Sequence, residues 1–281
     1  LISFFLKRAG TLSKKDGEVI LTKILFYVVI PAAIFLSISQ VQLSSDLIFL
    51  PLSNWGISLI CLAAGFLYAK ITKLENKTKG TLLMGVTMIN IQMVAYPFLK
   101  LIYGDEAFAR LILFEFGAAC IAFTLVYFLA VYYGEASEKK GIKESLNKFV
   151  KIPLVWALFL GIGVNLSSVT LPVFIKDLLD LIAKPLVPML LISLGLYFEL
   201  KFNKIKHLLA GIFIRIGVGF AAGLLMVTLF HLEGLNRIVV LVSSIMPIGY
   251  MTLAFSAKEK LDEEFAASLV TTSVIVSIAL I

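Results

Sequence analysis

The sequence predicts an all-α polytopic membrane protein: ten transmembrane helices, the first truncated, built as a 5+5 inverted repeat. Three observations carry that prediction. Of the 281 residues, 60% are hydrophobic and only 15% charged, with a mean hydropathy of +0.99. A soluble domain runs near ~45–50% apolar and ~25% charged. Apolar runs recur along the whole chain, and the basic residues alternate between successive loops.

The elements follow in order. Leu1–Leu6 is apolar but far shorter than the ~20 residues a bilayer requires, and it ends at Lys7-Arg8. It reads as the tail of a truncated first helix. It does not read as a secretory signal, whose basic residues precede the apolar stretch. The remaining spans are expected at Val19–Ser39, Trp55–Ala69, Gly80–Tyr103, Ala107–Tyr133, Pro153–Leu166, Leu171–Leu200, Leu208–Phe230, Asn236–Ala257 and Glu264–Ile281.

The loops between them test the count. Odd-numbered loops and their flanks hold Lys7, Arg8, Lys14, Lys15 and Lys23, then Lys70, Lys73, Lys77 and Lys79, then Lys139, Lys140, Lys143, Lys148 and Lys151, then Lys201, Lys204 and Lys206, then Lys258 and Lys260. Even-numbered loops hold Lys100, Arg110 and Arg237 alone. Cytoplasmic loops concentrate Lys and Arg, so odd loops are expected in the cytoplasm and both termini outside, in the plasma (inner) membrane. The net charge of +7 is thereby a signature of topology and calls for no nucleic-acid partner. Cys61 and Cys120 both lie inside apolar runs and read as small packing residues.

The two halves resemble each other. Residues 1–134 form the first repeat, 135–150 a polar cytoplasmic linker, and 151–281 the second repeat. Pro31 and Pro188 stand 157 positions apart; Pro97 and Pro247 stand 150 apart. Five helices per half is odd, so the halves must face opposite ways across the membrane, the plan of many secondary transporters.

The fourth and ninth spans carry the chemistry. One reads Asn90-Ile-Gln92-Met-Val-Ala-Tyr96-Pro97, the other Ser243-Ser244-Ile-Met-Pro247-Ile-Gly249-Tyr250. Proline removes a backbone donor, and the surrounding amides, hydroxyls and glycine satisfy freed groups or line a wet cavity. Half-helix N-termini aimed at mid-membrane favour anionic groups, and C-terminal ends favour cations. Those N-termini are expected just after Pro97 and Pro247. Two ionisable residues fall deep in apolar spans, Glu115 and Arg215. They read as an ion or counter-ion site, or as partners in a charge pair. Lys176, Asp180 and Lys184 share one helix face and suggest ion pairs.

These motifs, in this order, resemble the auxin efflux carrier family, which includes plant auxin exporters and bacterial malate permease-like proteins. The resemblance rests on Asn90 to Pro97, on Ser244-Ile-Met-Pro247, on Leu113-Phe-Glu115-Phe-Gly117 with Phe123-Thr124, on Lys151-Ile-Pro153, on Leu171-Pro172 with Asp177, and on the opening Leu6 to Ser13. Ala118 and Gln92 stand where the family often has Asn and Gly, and the proline frequent after the helix-eight Arg is missing after Arg215. The resemblance implies a bile-acid-symporter-like fold with two broken crossover helices. Helices 1, 2, 6 and 7 would form a scaffold, and helices 3–5 and 8–10 a moving transport domain. Substrate would sit at the crossover, against Asn90, Gln92, Tyr96, Pro97, Ser244, Pro247 and Tyr250.

The expected activity is movement of a small organic anion, auxin-like or a dicarboxylate such as malate, by alternating access, as export. The alternative is a Na⁺-coupled symporter of the bile-acid-symporter type. An intramembrane enzyme or a sensor is the reading from another class. No metalloprotease, phosphate-loop or nucleophile-elbow motif occurs in the chain. Neither a cofactor nor a metal is called for, and coupling to Na⁺ or H⁺ stays open. The expected partners are the bilayer, the anion and a second copy of the chain.

Overall fold

The computed structural model describes residues 22–41, 44–135, 150–167, 169–196 and 204–280. The expected first helix and the body of the polar linker lie outside them. Among the described residues the chain is almost wholly helical, with no strands and one isolated antiparallel bridge. Four apolar stretches are long enough to cross a membrane: Ser45–Ile71, Ala95–Tyr133, Ile205–Leu229 and Glu263–Leu280.

Helix α1 is Leu25–Gln40. It opens with a π turn over Leu25–Val29 and continues as α-helix from Ile30. Pro31 explains the register change, because it has no N–H to give to the preceding turn. Helix α2, Ser45–Ile71, starts ten residues ahead of the expected Trp55. The expected fourth span is two pieces, α3 (Asn76–Thr87) and α4 (95–103), separated by an unwound stretch. Gly104, at φ 75° and ψ −165°, then reverses the chain into α5 (105–133). The reversal is plain from contacts: Tyr96 meets both Phe108 and Glu115. Nineteen residues of continuous helix would hold Tyr96 and Glu115 about 28 Å apart.

The second half follows with α6 (Pro153–Leu166), whose bounds match expectation. The seventh span is divided at Lys184-Pro185 into α7 (Val173–Ala183) and α8 (Leu186–Leu196). Lys184 pairs with Asp180 at 3.2 Å on the exposed face of α7. Helix α9 is Ile205–Leu229, with a π turn at Phe213–Val218. The ninth span is again two pieces, α10 (Gly234–Ser244) and α11 (Met251–Lys258), and α12 (Glu263–Leu280) closes the described chain.

Two groups of helices pack among themselves. Helix α1 lies chiefly on α6 and α7. Asn165 of α6 donates to the carbonyls of Ile38 and Val41 at 2.9 and 2.7 Å, capping the otherwise bare end of α1. Helix α2 packs on α5 and α9, α10 on α5 and α9, and α12 on α3, α9 and α11.

The polar residues gather at two opposite ends of this bundle. At one end Arg110 donates to Asn236 (3.0 Å), and Asn236 donates to Asp46, bringing together even loops two, four and eight. At the other end, Lys204 donates to Thr78 (2.6 Å), and Thr78 donates to Asp262 (2.7 Å). Lys77 pairs there with Glu135 at 2.8 Å, and the Glu135 amide donates to the Glu259 carbonyl at 2.9 Å. Odd loops three, five, seven and nine therefore share one end.

Candidate functional site

The unwound stretches at 88–94 and 245–250 meet inside the bundle. Backbone hydrogen bonds join them reciprocally: Asn90 N–H donates to the Pro247 carbonyl at 2.8 Å, and Gly249 N–H to the Met88 carbonyl at 3.2 Å. The approach is close. A Cβ on Gly249 would lie 3.0 Å from the Met88 Cβ, which is why glycine stands there. A third bond runs from Ile248 N–H to Ser273 Oγ of α12 at 3.0 Å. Ser277, one turn on, donates to the Ile245 carbonyl at 2.8 Å. Backbone groups released by the breaks thus find partners without water, as the membrane interior demands.

The first break holds most of the polar side chains. Asn90 is 8% exposed; its Oδ1 accepts from Met93 N–H at 3.4 Å, and its Nδ2 has no partner among the described residues. Gln92 is half-buried and bonds the Glu115 carboxyl across the Gly104 reversal. Tyr96 is fully buried and donates from Oη to Glu115 Oε2. Pro97 does not lie at the break. Helix α4 starts at Ala95, which puts Pro97 in its first turn, where a missing N–H costs nothing. The half-helix N-terminus therefore precedes this proline.

The second break is organised differently. Ser244 ends α10, and its hydroxyl turns back to the Leu241 carbonyl at 2.7 Å. Pro247 serves through its carbonyl to Asn90. Helix α11 begins at Met251, four residues past Pro247. Tyr250, just before it, is 41% exposed. Ser243 and Thr252 are fully buried with unpartnered hydroxyls among the described residues.

Glu115 and Arg215 do not pair with each other. Glu115 takes Tyr96 and Gln92. Arg215 is fully buried and donates to two backbone carbonyls, Val86 in the last turn of α3 (3.3 Å) and Ser244 at the end of α10 (2.9 Å), with Cys61 Sγ 3.7 Å away. The mutual ion pair is replaced because the Gly104 reversal and the two helix ends offer each side chain a nearer partner.

Sequence reasoning missed Ser273 and Ser277 of α12, and it read Cys61 of α2 and Gly219 of α9 as packing residues only. The first two carried a signal, since two serines four apart in an apolar helix share one face. Gly219 makes room for Arg215: a Cβ there would sit 2.8 Å from both Arg215 Nη2 and the Ser244 carbonyl oxygen. Among the described residues no cluster of His, Cys, Asp and Glu is set to hold a metal ion.

Comparison with known proteins places this geometry in context. A family profile described as "membrane transport protein" matches residues 1–281, the whole chain. An uncharacterised transporter of Methanocaldococcus jannaschii is 31% identical over 297 aligned positions, covering all of this chain and 93% of the relative. An uncharacterised transporter of Methanothermobacter thermautotrophicus is 28% identical over 288, covering 99% and 91%.

Proposed function

This chain belongs to the membrane transport protein family, the auxin efflux carriers, and from that premise we propose that it moves a small organic anion across the membrane through the paired breaks. It is an integral membrane transporter, and its family is not an enzyme class. The finer reading is that the breaks form a crossover between two inverted repeats. Helices two, six and seven (α1, α6, α7 and α8) act as scaffold together with helix one, and the remainder carries the site from face to face. The separate packing of α1, α6 and α7 supports that division. The gathering of odd loops at one end and even loops at the other supports the expected sidedness, with the basic end cytoplasmic.

One observation carries the choice of an anion. The Asn90 side-chain amide is buried on the first break with its donor unpartnered, beside half-helix N-termini that add partial positive charge. A carboxylate satisfies such a donor, and a cation does not. Uncoupled export is energetically sufficient: an inside-negative potential of ~100 mV favours anion exit by ~2.3 kcal/mol per charge.

The test is flux into proteoliposomes under imposed voltage, with labelled malate, succinate, indole-3-acetate and taurocholate, with and without Na⁺ and a pH gradient. Voltage-driven flux of one carboxylate, abolished by Asn90→Ala in folded protein, supports the reading. Flux untouched by Asn90→Ala removes the site, and no flux of any anion removes the substrate class.

Glu115 favours one variant of this reading, proton coupling. Its carboxyl is held by Tyr96 and Gln92, the latter on the same unwound stretch as Asn90. An anion that recruits Gln92 takes a hydrogen bond away from the Glu115 carboxyl, which links the two groups. Flux driven by a pH gradient and lost in Glu115→Gln would select this variant over uncoupled export.

A further inference from the structure

The two half-helices that end at the breaks leave orphan carbonyls pointing into the centre of the bundle. An α-helix C-terminus carries about half a negative charge on such groups, and two C-termini at one place make a site for a cation. In transporters built on broken helices that place suits Na⁺. Here it holds a side chain. Arg215 Nη1 reaches the Val86 carbonyl at the end of α3, and Nη2 reaches the Ser244 carbonyl at the end of α10. One planar guanidinium therefore spans the ends of both half-helices.

Several independent features show a built position. Arg215 is fully buried, and among the described residues no carboxylate pairs with it, so its countercharge is the two helix ends. Its segment of α9 runs as a π turn, Phe213–Val218, which shifts the side chain's aim relative to a regular helix. Gly219, one turn later, supplies the space that a Cβ would fill. Cys61 offers a soft neutral neighbour at 3.7 Å, and donates in turn to the Ile214 carbonyl at 3.6 Å.

We propose that Arg215 is a chain-borne substitute for a bound cation at the paired half-helix C-termini, so that this protein holds its two breaks together, and transports, without Na⁺ at that position. Arg215 is a positioning residue in this scheme, since both terminal nitrogens of its guanidinium are spent on backbone carbonyls, while its Nε has no partner among the described residues. Glu115 lies on the other side of the first break, with Tyr96 and Gln92, and is no part of this cation's environment. The consequence for transport rests on the function proposed above, but the charge itself is testable without any substrate.

The experiment is thermal unfolding of the purified full chain in detergent, in NaCl and in choline chloride. Wild type is expected to melt at the same temperature in both salts. Arg215→Gln, neutral and of similar reach, is expected to melt several degrees lower, and Arg215→Lys to keep most of the loss from appearing. Arg215→Ala is expected to be stabilised saturably by millimolar guanidinium, well below denaturing concentrations, where wild type is not. A wild-type melting temperature that climbs saturably with Na⁺ overturns the proposal. So does Arg215→Gln as stable as wild type, or an Arg215→Ala that neither guanidinium nor Na⁺ restores. If Arg215→Ala cannot be purified, the Gln and Lys pair and the wild-type salt series still decide. Flux of wild type in Na⁺-free proteoliposomes is a separate arm: its failure with the stability arms intact counts against the transport reading alone.

Discussion

The two breaks are alike in backbone and unlike in chemistry. Each interrupts an apolar helix, and each lends the other one donor and one acceptor through Asn90, Pro247, Met88 and Gly249. Yet the first carries the amides Asn90 and Gln92 and, across the Gly104 reversal, the half-buried carboxyl of Glu115. The second is Ile-Met-Pro-Ile-Gly, and the polar groups around it belong to its supports, Ser273 and Ser277 behind and Arg215 beneath. Two similar breaks thus differ in what surrounds them: polar side chains at the first, supporting contacts at the second. Backbone geometry alone does not distinguish the two unwound stretches; their side chains do.

That division can be broken by mutation. The largest effect is expected from Asn90→Ala, a loss of flux of tenfold or more, equivalent to at least about 1.4 kcal/mol, with melting temperature near wild type. Ser243→Ala, at a buried hydroxyl on the opposite break, should change flux less than threefold. Parallel proteoliposome assays check both, and equal losses would erase the contrast. Next comes Gly219→Ala, which forces a methyl against Arg215 and the Ser244 carbonyl. It should destabilise by about 1–3 kcal/mol, seen in thermal melts, whereas Gly163→Ala, whose added Cβ meets nothing within 4 Å, should not.

Smaller effects sharpen the picture. Ser273→Ala leaves the Ile248 N–H without an acceptor and should cost about 1–3 kcal/mol, at the lower end if the helix shifts; Ser273→Thr should retain most of it. The smallest change concerns the loop end. Burial raises the Asp262 carboxyl, but the Lys204 ammonium, the Thr78 hydroxyl and the Phe265 amide together hold it below its ordinary 3.8. A depressed carboxyl contributes stability that is complete above its unfolded value and lost as pH falls through the folded one. Asp262→Asn should therefore lower stability near neutrality by a few tenths to about 1 kcal/mol, given the partial exposure of Lys204. It should leave flux unchanged and flatten the decline seen on acidification below about pH 4.

Much of the fold was legible because a membrane simplifies the code. Nine spans could be placed by apolar length, and the loops grouped by their lysines do converge at opposite ends. Pro153 and Leu166 bound their helix as read. Helix α2 began earlier than expected because Asp46 and Asn54 look like loop residues, whereas in the fold Asp46 accepts from Asn236 and Asn54 Oδ1 accepts from Ser58. The location of the first break was legible only to within a turn: a proline both ends helices and sits comfortably at their starts, and Pro97 does the second. Arg215 was visible as a buried charge, but its partners were not, because they are main-chain carbonyls that no residue letter records. The Tyr96–Glu115 contact was hidden for a related reason. The turn between the fourth and fifth spans was legible, but which side chains face each other across Gly104 was not.

The reciprocal bonds between Asn90 and Pro247 and between Gly249 and Met88 have a mechanical meaning. Two hydrogen bonds running in opposite senses, with a guanidinium fastened to both helix ends, leave the junction almost no internal degree of freedom. Neither unwound stretch can tilt, slide or rewind without dragging the other. On the alternating-access reading proposed above, a displacement that moves Asn90 between the two sides would have to be carried by the seam where α1 and α8 meet α4 and α5, and it is along that seam that cross-linking would first arrest it.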